Sequence, residues 1–398
     1  MRRPRAAQLV ALLALVVALP QAARTDTAVA APRGEWLAGD LHIHTTYSHD
    51  SYGGPGDDNT GPEEAYTAGL TVAQQFALAQ VRGLDFLAIT DHNDVRSQSD
   101  PGFGSSGVLP VGGYEASLNG HAQVLGVDHV YDAGDASPAA VQALAAAVRA
   151  AGGAFQINHP ALLGEMDWGY GDAVLPDTIE VWNISRLYQP PFPSASDNDA
   201  AIKYWESWLD RGAHVAATGG SDTHWLATTA AQGPGQPTTW VYATDRTQAG
   251  VIEGLRAGRT FISWQPPALG GPRLFLEADR DGDGSFESMV GDTVPRGAAL
   301  RVRVEGALGS RLRIIGSHST LLADVPVTAS SFVHRFSAPA SFTWVRAEVV
   351  VPDAPEIRSA CEPLLGAFTS YCRNALTMLA MTSALYLEPS APLALRIR

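Results

Sequence analysis

The chain contains little cysteine and almost no lysine. Among its 398 residues, Cys361 and Cys372 are the only cysteines and Lys203 is the only lysine. The formal net charge is −14 at pH 7. This balance argues against nucleic acid as a bulk partner, because binding to a phosphate backbone normally relies on clustered Lys and Arg.

Long apolar runs are absent after the N-terminus. The run at residues 9–19 is too short to span a bilayer and no later stretch is long enough, so a membrane-embedded protein is not expected. Arg2, Arg3 and Arg5 precede this run and small residues follow it, which is typical of an export signal. We therefore predict that residues 1–30 are a signal peptide. The mature chain, without a transmembrane segment, is then secreted, periplasmic or at the cell surface.

The cysteine positions bear on this prediction. Cleavage fits either Ala23 or Ala30 as the last residue removed, and no cysteine lies near either site, which argues against a lipoprotein. A retained N-terminal anchor is the alternative. In an exported protein an even cysteine count favours a disulfide, so we expect Cys361 and Cys372 to pair. Such a bridge would stabilise the C-terminal region by about 2–3 kcal/mol.

Histidines and aspartates are concentrated in one short segment. Residues 39–50 contain three histidines and two aspartates. His42 and His44 lie two residues apart in a predicted strand, so their side chains point to the same face and can bind one ion together. Asp50 follows the end of this strand and can return to the same place from a loop. The segment therefore predicts a metal site.

Later segments repeat this arrangement, with residue types that bind metals in or after strand-like runs. They supply His92, Glu115, His121, His159, Asp222 and His224. A single buried histidine is more often a hydrogen-bonded core residue than a ligand. We give that interpretation to the histidines outside these segments, which are His129, His214, His318 and His334. For the motif histidines, chance would have to produce all of the patterns together.

The patterns occur in a characteristic order. It runs His-x-His, Thr-Asp-His, Gly-x-Glu with a nearby Gly-His, Asn-His-Pro and Ser-Asp-x-His. This order resembles the PHP metallohydrolases, a family named after its polymerase and histidinol phosphatase members, over roughly residues 38–265. The resemblance implies two or three divalent ions, two of them bridged by Glu115. The metal ligands that it implies are His42, His44, Asp50, His92, Glu115, His121, His159, Asp222 and His224.

The third ligand of the first motif has two candidates. In many relatives this motif reads Ser-Asp-Gly, whereas here it reads Ser48-His49-Asp50-Ser51. Either His49 or Asp50 can take the place of the family's aspartate. The Ser-x-Asp spacing resembles that of secreted branches of the family and favours Asp50. Because nitrogen and oxygen donors accept several metals, zinc, manganese and iron all suit the centre.

Helices separate the motifs. We predict them at residues 63–81, 137–152, 198–210 and 247–257. Strands are predicted at residues 155–158, 177–183 and 239–243, and from His214 onward. Alternating strands and helices imply an α/β fold with parallel pairing. The resemblance implies a distorted (β/α)7 barrel over residues 36–267, with its ligands on the face where barrel active sites gather.

The pattern changes after about residue 268. Short alternating runs, such as residues 300–304 and 342–349, predict a smaller β-sandwich-like domain over residues 268–398. A turn in this region imitates the start of a calcium loop through Asp279, Asp281, Asp283 and Glu287. The twelfth position is a valine where an EF-hand needs glutamate, so we interpret it as a solvated acidic turn, with calcium as the alternative.

The motifs together predict an exported metal-dependent phosphoesterase. Divalent ions can generate a metal-activated hydroxide and offset the charge that builds on a transferring phosphoryl group. Glu115, Asp222 and His224 are the predicted catalytic residues. Arg96 and Arg186 follow strand ends and are predicted to contact the phosphate, with ordinary surface arginines as the alternative. The expected partner is a small-molecule phosphate monoester or diester.

Two other functions are compatible with these motifs. Relatives in the branch that includes carbaryl hydrolase are similar in layout and cleave a carbamate or carboxylic ester, which requires an apolar slot rather than donors for a dianion. In the second alternative, the protein is a surface-binding module whose metals are structural. A complete ligand set argues against that alternative, because a degenerate member would be expected to lose motif residues.

Overall fold

The first strand of the described chain ends just before the His-x-His motif. In this computed structural model the described residues are 34–51, 69–161, 167–183, 198–224, 233–352, 355, 359 and 377–389. The predicted signal peptide at residues 1–30 and the predicted pair Cys361 and Cys372 lie outside these residues, so both stay predictions.

The first part of the chain alternates strands and helices. Its strands are β1 (Glu35–Asp40), β2 (Phe86–Ile89), β3 (Leu109–Leu118), β4 (Gly120–Leu125), β5 (Ala154–Ile157), β6 (Thr178–Asn183), β7 (Ala216–Gly220), β8 (Thr238–Ala243) and β9 (Thr260–Ser263). Its helices are α1 (Val72–Val81), α2 (Pro138–Ala150), α3 (Asn198–Asp210) and α4 (Gln248–Arg256). The protein is therefore a mixed α/β protein, as predicted.

Polar side chains cap three of these helices. Thr71, Ser137 and Thr247 each accept a hydrogen bond from a backbone N–H three residues later, which satisfies one of the free donors of the first turn. The predicted helices that correspond to α2, α3 and α4 are confirmed. The helix predicted at residues 63–81 begins at Val72 in the described part of the chain, because Thr71 caps it.

The later part of the chain consists mainly of strands. They are β10 (Arg273–Asp279), β11 (Ser288–Met289), β12 (Thr293–Pro295), β13 (Ala299–Glu305), β14 (Arg311–Gly316), β15 (Thr320–Pro326), β16 (Ser331–Ser337), β17 (Trp344–Val350), β18 (Met378–Thr382) and β19 (Leu385–Glu388). β10, β11, β13 and β16 form a four-stranded sheet. Leu276 and Val302 of this sheet share a buried core with Leu312 and Ala347 of the other strands. The predicted change to β structure is therefore confirmed.

The remaining strands belong to one large sheet of 15 strands, whose main path runs β12-β19-β17-β18-β9-β8-β1-β2-β3-β4-β5-β6-β7. The expected parallel pairing is found within β1-β2-β3 and within β5-β6-β7. It is wrong for β4, which is antiparallel to both β3 and β5, and for β8, which is antiparallel to both β1 and β9. For β4 the reason is that Asn119 alone separates it from β3, and one residue is too short for a parallel crossover.

Side-chain hydroxyls accept hydrogen bonds from backbone N–H groups along the outer edge of β7. The backbone N–H of Gly219 donates to Oγ1 of Thr239 at 2.8 Å, and that of Ala217 donates to Oγ of Ser383 at 2.8 Å. In the residues that the structure describes, no backbone ladder joins β7 to β8. The distorted (β/α)7 barrel therefore stays a prediction.

The large sheet extends across the predicted domain boundary. β9, which precedes residue 268, pairs with β18, which follows it. The division into domains at residues 36–267 and 268–398 stays a prediction. None of the described helices combines the length and apolar character that a membrane-spanning helix requires.

Candidate metal centre

The predicted ligands are brought together by backbone contacts beyond the strand ends. The N–H of His44 donates to the carbonyl of Thr223 at 3.0 Å, and the N–H of Asp222 donates to the carbonyl of His42 at 2.9 Å. The His-x-His segment therefore lies directly beside the segment that follows β7. A single backbone bridge likewise joins His92, after β2, to Glu115 in β3.

All nine predicted ligands belong to four overlapping groups in the described chain. In each group, one nitrogen or carboxylate oxygen per residue lies within 4.8 Å of the others. The groups are His42, His44 and Glu115; His42, His159 and Asp222; His92, Glu115 and His121; and His44, Asp50, His92 and His224. Because the groups share members, they form one centre rather than separate sites.

Glu115 lies between the imidazoles of different segments. Its Oε2 is 3.1 Å from Nε2 of His42 and from Nε2 of His44, and 3.4 Å from Nε2 of His92. Its Oε1 faces two other histidines, at 3.1 Å from Nδ1 of His121 and 3.4 Å from Nε2 of His159. The side chain is 1% exposed. A carboxylate whose two oxygens face separate sets of imidazoles is suited to bridge two ions.

Asp50, rather than His49, lies among the ligand groups. Oδ2 of Asp50 is 2.8 Å from Nε2 of His224 and 3.4 Å from Nε2 of His92. The ring of His49 lies beside that of His92, with centroids 4.8 Å apart, but His49 is in none of the groups formed by the described residues. Asp50 therefore lies where the third ligand of the first motif is expected, and the choice between Asp50 and His49 stays a prediction.

The spacing of the donor atoms fits a divalent ion. The Nε2 atoms of His42 and His44 are 3.1 Å apart, and each is 3.3 Å from Oδ1 of Asp222. Two donors on one tetrahedral ion, with bonds of about 2.0–2.1 Å, lie roughly 3.3 Å apart. In addition, Nδ1 of His159 is buried without a hydrogen-bond partner in the described part of the chain. The residues present therefore fit a metal centre.

The carboxylates of the centre are held in their ionised form. Burial raises the pKa of Glu115, but the charges of His42 and His92 outweigh it and hold this pKa well below its ordinary value. The pKa of Asp222 is lowered in the same way, against burial, by His42 and His44. Conversely, burial lowers the pKa of His44, whereas hydrogen bonds to Asp222 and Glu115 raise it to about 10. The buried carboxylates therefore attract positive charge, whether from protons or from ions.

Metal binding is expected to strengthen as pH rises and to release protons. Because the pKa of His44 is raised to about 10, protons compete with an ion for its nitrogen throughout the neutral range. Calorimetric titration with Mn²⁺, in buffers of different ionisation enthalpy, measures the number of protons released. The variant His318→Ala should show the same pH dependence as the wild type, because His318 is 80% exposed and lies outside the centre. An affinity that does not change with pH would contradict this expectation.

Polar residues outside the predicted ligand set support the centre. Nδ2 of Asn158 donates to Oε1 of Glu115 at 2.7 Å. Glu180 in β6 is buried, and its Oε1 is 2.9 Å from Nδ1 of His42. The only signal in the sequence for Glu180 is a single glutamate within an otherwise mainly apolar strand.

Two buried aspartates hold the motif backbones in place. Oδ1 of Asp40 accepts hydrogen bonds from the backbone N–H groups of His42 and Ser221, each at 3.1 Å. Oδ1 of Asp91 accepts one from the N–H of Thr45 at 2.6 Å. Asp40 therefore ties the first motif to the last, and Asp91 ties the first to the second.

Of the two arginines that are predicted to contact phosphate, Arg96 lies within the described residues. Nε of Arg96 donates to Oδ2 of Asp94 at 2.7 Å, and its guanidinium lies 5.7 Å from the ring centre of Tyr47. The side chain is 59% exposed. Arg186 lies outside the described residues. Phosphate contact by either arginine stays a prediction.

The acidic turn that follows β10 brings together the four carboxylates whose sequence spacing is similar to the start of a calcium loop. Oxygen atoms of Asp279, Asp281, Asp283 and Glu287 lie within 4.8 Å of one another. The carboxylate of Asp279 accepts backbone hydrogen bonds from Gly282, Asp283 and Gly284. These bonds are typical of a turn closed by its own aspartate, and the calcium alternative stays open to test.

Comparison with known proteins gives limited matches. A model for a protein family of unknown function, DUF3604, matches residues 31–99, which contain the His-x-His and Thr-Asp-His motifs. No curated protein matches the chain. Among solved structures, the chain is similar to a two-domain protein from Bacteroides vulgatus, described as containing a predicted PHP-like metal-dependent phosphoesterase. That match has 17% identity and a TM-score of 0.41, and it covers 80% of this chain and 91% of that chain. A TM-score of this size does not establish a shared fold.

Proposed function

We propose that the chain is a metal-dependent hydrolase of phosphate esters. The observation that carries this proposal is the buried carboxylate of Glu115, whose two oxygens face imidazole nitrogens from different segments at 3.1–3.4 Å. Such a shared carboxylate suits two or three divalent ions, and zinc, manganese and iron all accept these donors. When bound, such ions lower the pKa of water to about 7 and offset the charge that develops on a transferring phosphoryl group.

The exposure of the ligands supports one direction of substrate approach. His42, His44 and Glu115 are buried, whereas the side chain of Asp50 is 37% exposed and that of Asp222 is 17% exposed. We therefore place the substrate on the side of Asp50, Asp222 and His224. In this arrangement Asp222 and His224 lie closest to the reacting group, while Glu115 acts from the buried side.

The remaining expectations form part of the same proposal. The substrate is a small-molecule monoester or diester, and the mature chain acts outside the cytoplasm. Residues 36–267 form the distorted (β/α)7 barrel that the PHP resemblance implies. In support of the barrel, the ligand segments follow β1, β2, β5 and β7 at their C-terminal ends, where barrel enzymes place their active sites.

The experiment that tests this function compares three substrates on one sample of known metal content. The mature chain is assayed with p-nitrophenyl phosphate, bis-p-nitrophenyl phosphate and p-nitrophenyl acetate, before and after treatment with a chelator. Hydrolysis of a phosphate substrate that is lost with the metal, and restored by adding it back, is the expected result. The preferred phosphate substrate then separates a monoesterase from a diesterase.

Other results would replace this function. Activity on the acetate alone would favour hydrolysis of carboxylic esters or carbamates at the same centre. Bound metal without turnover of any substrate would favour a binding role. Phosphate hydrolysis that survives complete removal of metal would overturn the proposed mechanism.

A further inference from the structure

Glu180 contacts three parts of the candidate centre without being one of its predicted ligands. Its Oε1 is 2.9 Å from Nδ1 of His42. Its Oε2 accepts hydrogen bonds from the backbone N–H of His159 and from Nδ2 of Asn183, both at 3.0 Å. Asn183 also donates to Oδ2 of Asp222 at 3.3 Å. One carboxylate thus connects the ligand segments that follow β1, β5 and β7.

The carboxylate of Glu180 is fully buried, so water cannot solvate its charge. The side chain is 0% exposed, and a buried carboxylate is costly unless it is paired and hydrogen-bonded. The neighbouring strand approaches closely at Gly220, where an added Cβ would lie 2.5 Å from Oε1 of Glu180 and 2.4 Å from Cβ of His42. The space for the contact between Glu180 and His42 therefore depends on a glycine at position 220.

The contact with His159 also supports an unusual backbone. His159 has a φ of 22°, and Asp222 has a φ of 52°. Residues other than glycine rarely adopt such positive values, and they persist only where surrounding contacts hold them. Glu180 holds His159 through its backbone N–H and reaches Asp222 through Asn183. Both strained ligands are therefore connected to the same carboxylate.

We propose that Glu180 is a positioning residue of the metal centre. In this role it accepts a hydrogen bond from Nδ1–H of His42, which favours the tautomer whose Nε2 is unprotonated and directed toward the other ligands. Through its second oxygen it fixes the backbone of His159 and, by way of Asn183, the side chain of Asp222. The inference rests on the proposed function only in requiring that the centre binds divalent ions. Loss of an orienting partner of this kind typically weakens metal binding by about 10- to 100-fold.

The variant Glu180→Gln tests the inference, because it preserves the size of the side chain but replaces one acceptor oxygen by an amide nitrogen, which can only donate hydrogen bonds. The apparent Kd for Mn²⁺ is measured on the full chain from the electron paramagnetic resonance signal of free Mn²⁺. We expect it to increase by about 10- to 100-fold, with the circular dichroism spectrum retained. Glu206→Gln is the matched control, since Glu206 is another buried carboxylate, 3% exposed, that pairs with Arg346 instead. It should leave the Mn²⁺ affinity unchanged.

A double-mutant cycle distinguishes positioning from a general structural role. In a His42→Ala background, Glu180→Gln should have a smaller effect on Mn²⁺ affinity, because one of its contacts is already lost. An effect of equal size in both backgrounds would overturn the proposal. If Glu180→Gln does not fold, Asn183→Ala removes the hydrogen bonds of the Asn183 amide to Glu180 and Asp222 but keeps the contacts of Glu180 with His42 and His159. An unchanged Mn²⁺ affinity in that variant would overturn the proposal.

The wild-type titration separates failure of this inference from failure of the proposed function. A wild-type chain that binds neither Mn²⁺ nor Zn²⁺ overturns the metal centre and both proposals with it. Tight wild-type binding that Glu180→Gln leaves unchanged overturns only the positioning role.

Discussion

Replacing Glu115 by glutamine is expected to remove both metal and turnover. Both carboxylate oxygens face imidazole nitrogens, and an amide presents N–H donors on one side, where an ion requires a lone pair. Partners that only orient a ligand contribute about 10- to 100-fold. Loss of a shared ligand should therefore lower metal affinity and kcat by more than about 100-fold. Metal content by mass spectrometry and hydrolysis of p-nitrophenyl phosphate measure the two effects.

A matched control removes a glutamate far from the centre. Glu253 in α4 is exposed, and Glu253→Gln should retain metal and activity. The circular dichroism spectrum of Glu115→Gln should match that of the wild type, since the rest of the core is unchanged. A Glu115→Gln variant that keeps its metal and its turnover would refute the assignment of Glu115 as a shared ligand.

Replacing Arg346 by alanine is expected to lower the free energy of unfolding by about 3–5 kcal/mol. Arg346 is 5% exposed. Its Nε is 2.7 Å from Oε1 of Glu206 in α3, and its Nη1 is 2.7 Å from Oε2 of Glu348 in β17. Without the guanidinium, the buried carboxylate of Glu206 loses this ion pair, and that of Glu348 keeps the longer contact with Arg313. Denaturant unfolding followed by tryptophan fluorescence measures the change.

The variant Arg313→Ala is the control for Arg346→Ala, because Arg313 also lies near Glu348 but is more exposed. Its side chain is 40% exposed, and its Nη1 lies 3.7 Å from Oε1 of Glu348. Exposed ion pairs contribute little, so Arg313→Ala should cost at most about 1 kcal/mol. Equal costs for the two variants would show that burial of the Arg346 network does not determine its contribution.

The PHP resemblance could select nine residues that lie together in the structure because each of them belongs to a short local motif. Alternation along a strand places His42 and His44 on one face. The strand ends that precede Asp222 and His224 could likewise be recognised from an apolar run followed by polar residues. These patterns depend on neighbouring residues alone, so a single sequence contains them.

Other features of the site depend on contacts between distant segments. Glu180 has no motif, and its importance appears only when β6 lies beside β7 and the His-x-His segment. The reversed direction of β4 depends on a turn at Asn119-Gly120 that strand patterns alone do not reveal. The sequence therefore predicts the candidate ligands better than it predicts the residues that contact and position them.

The edge of β7 has a consequence for how this chain can evolve. The hydroxyl of Ser383 accepts a hydrogen bond from the backbone N–H of Ala217 at 2.8 Å. The hydroxyl of Tyr386 accepts one from the backbone N–H of Val215 at 3.2 Å. These hydroxyls come from the last two strands of the described chain and the turn between them, yet they hold the backbone at the start of the strand that leads to Asp222. The C-terminal strands are therefore not an interchangeable module. Replacing them with an unrelated β region would leave the buried amide groups of Val215 and Ala217 without these acceptors, next to the segment that contains the candidate ligands.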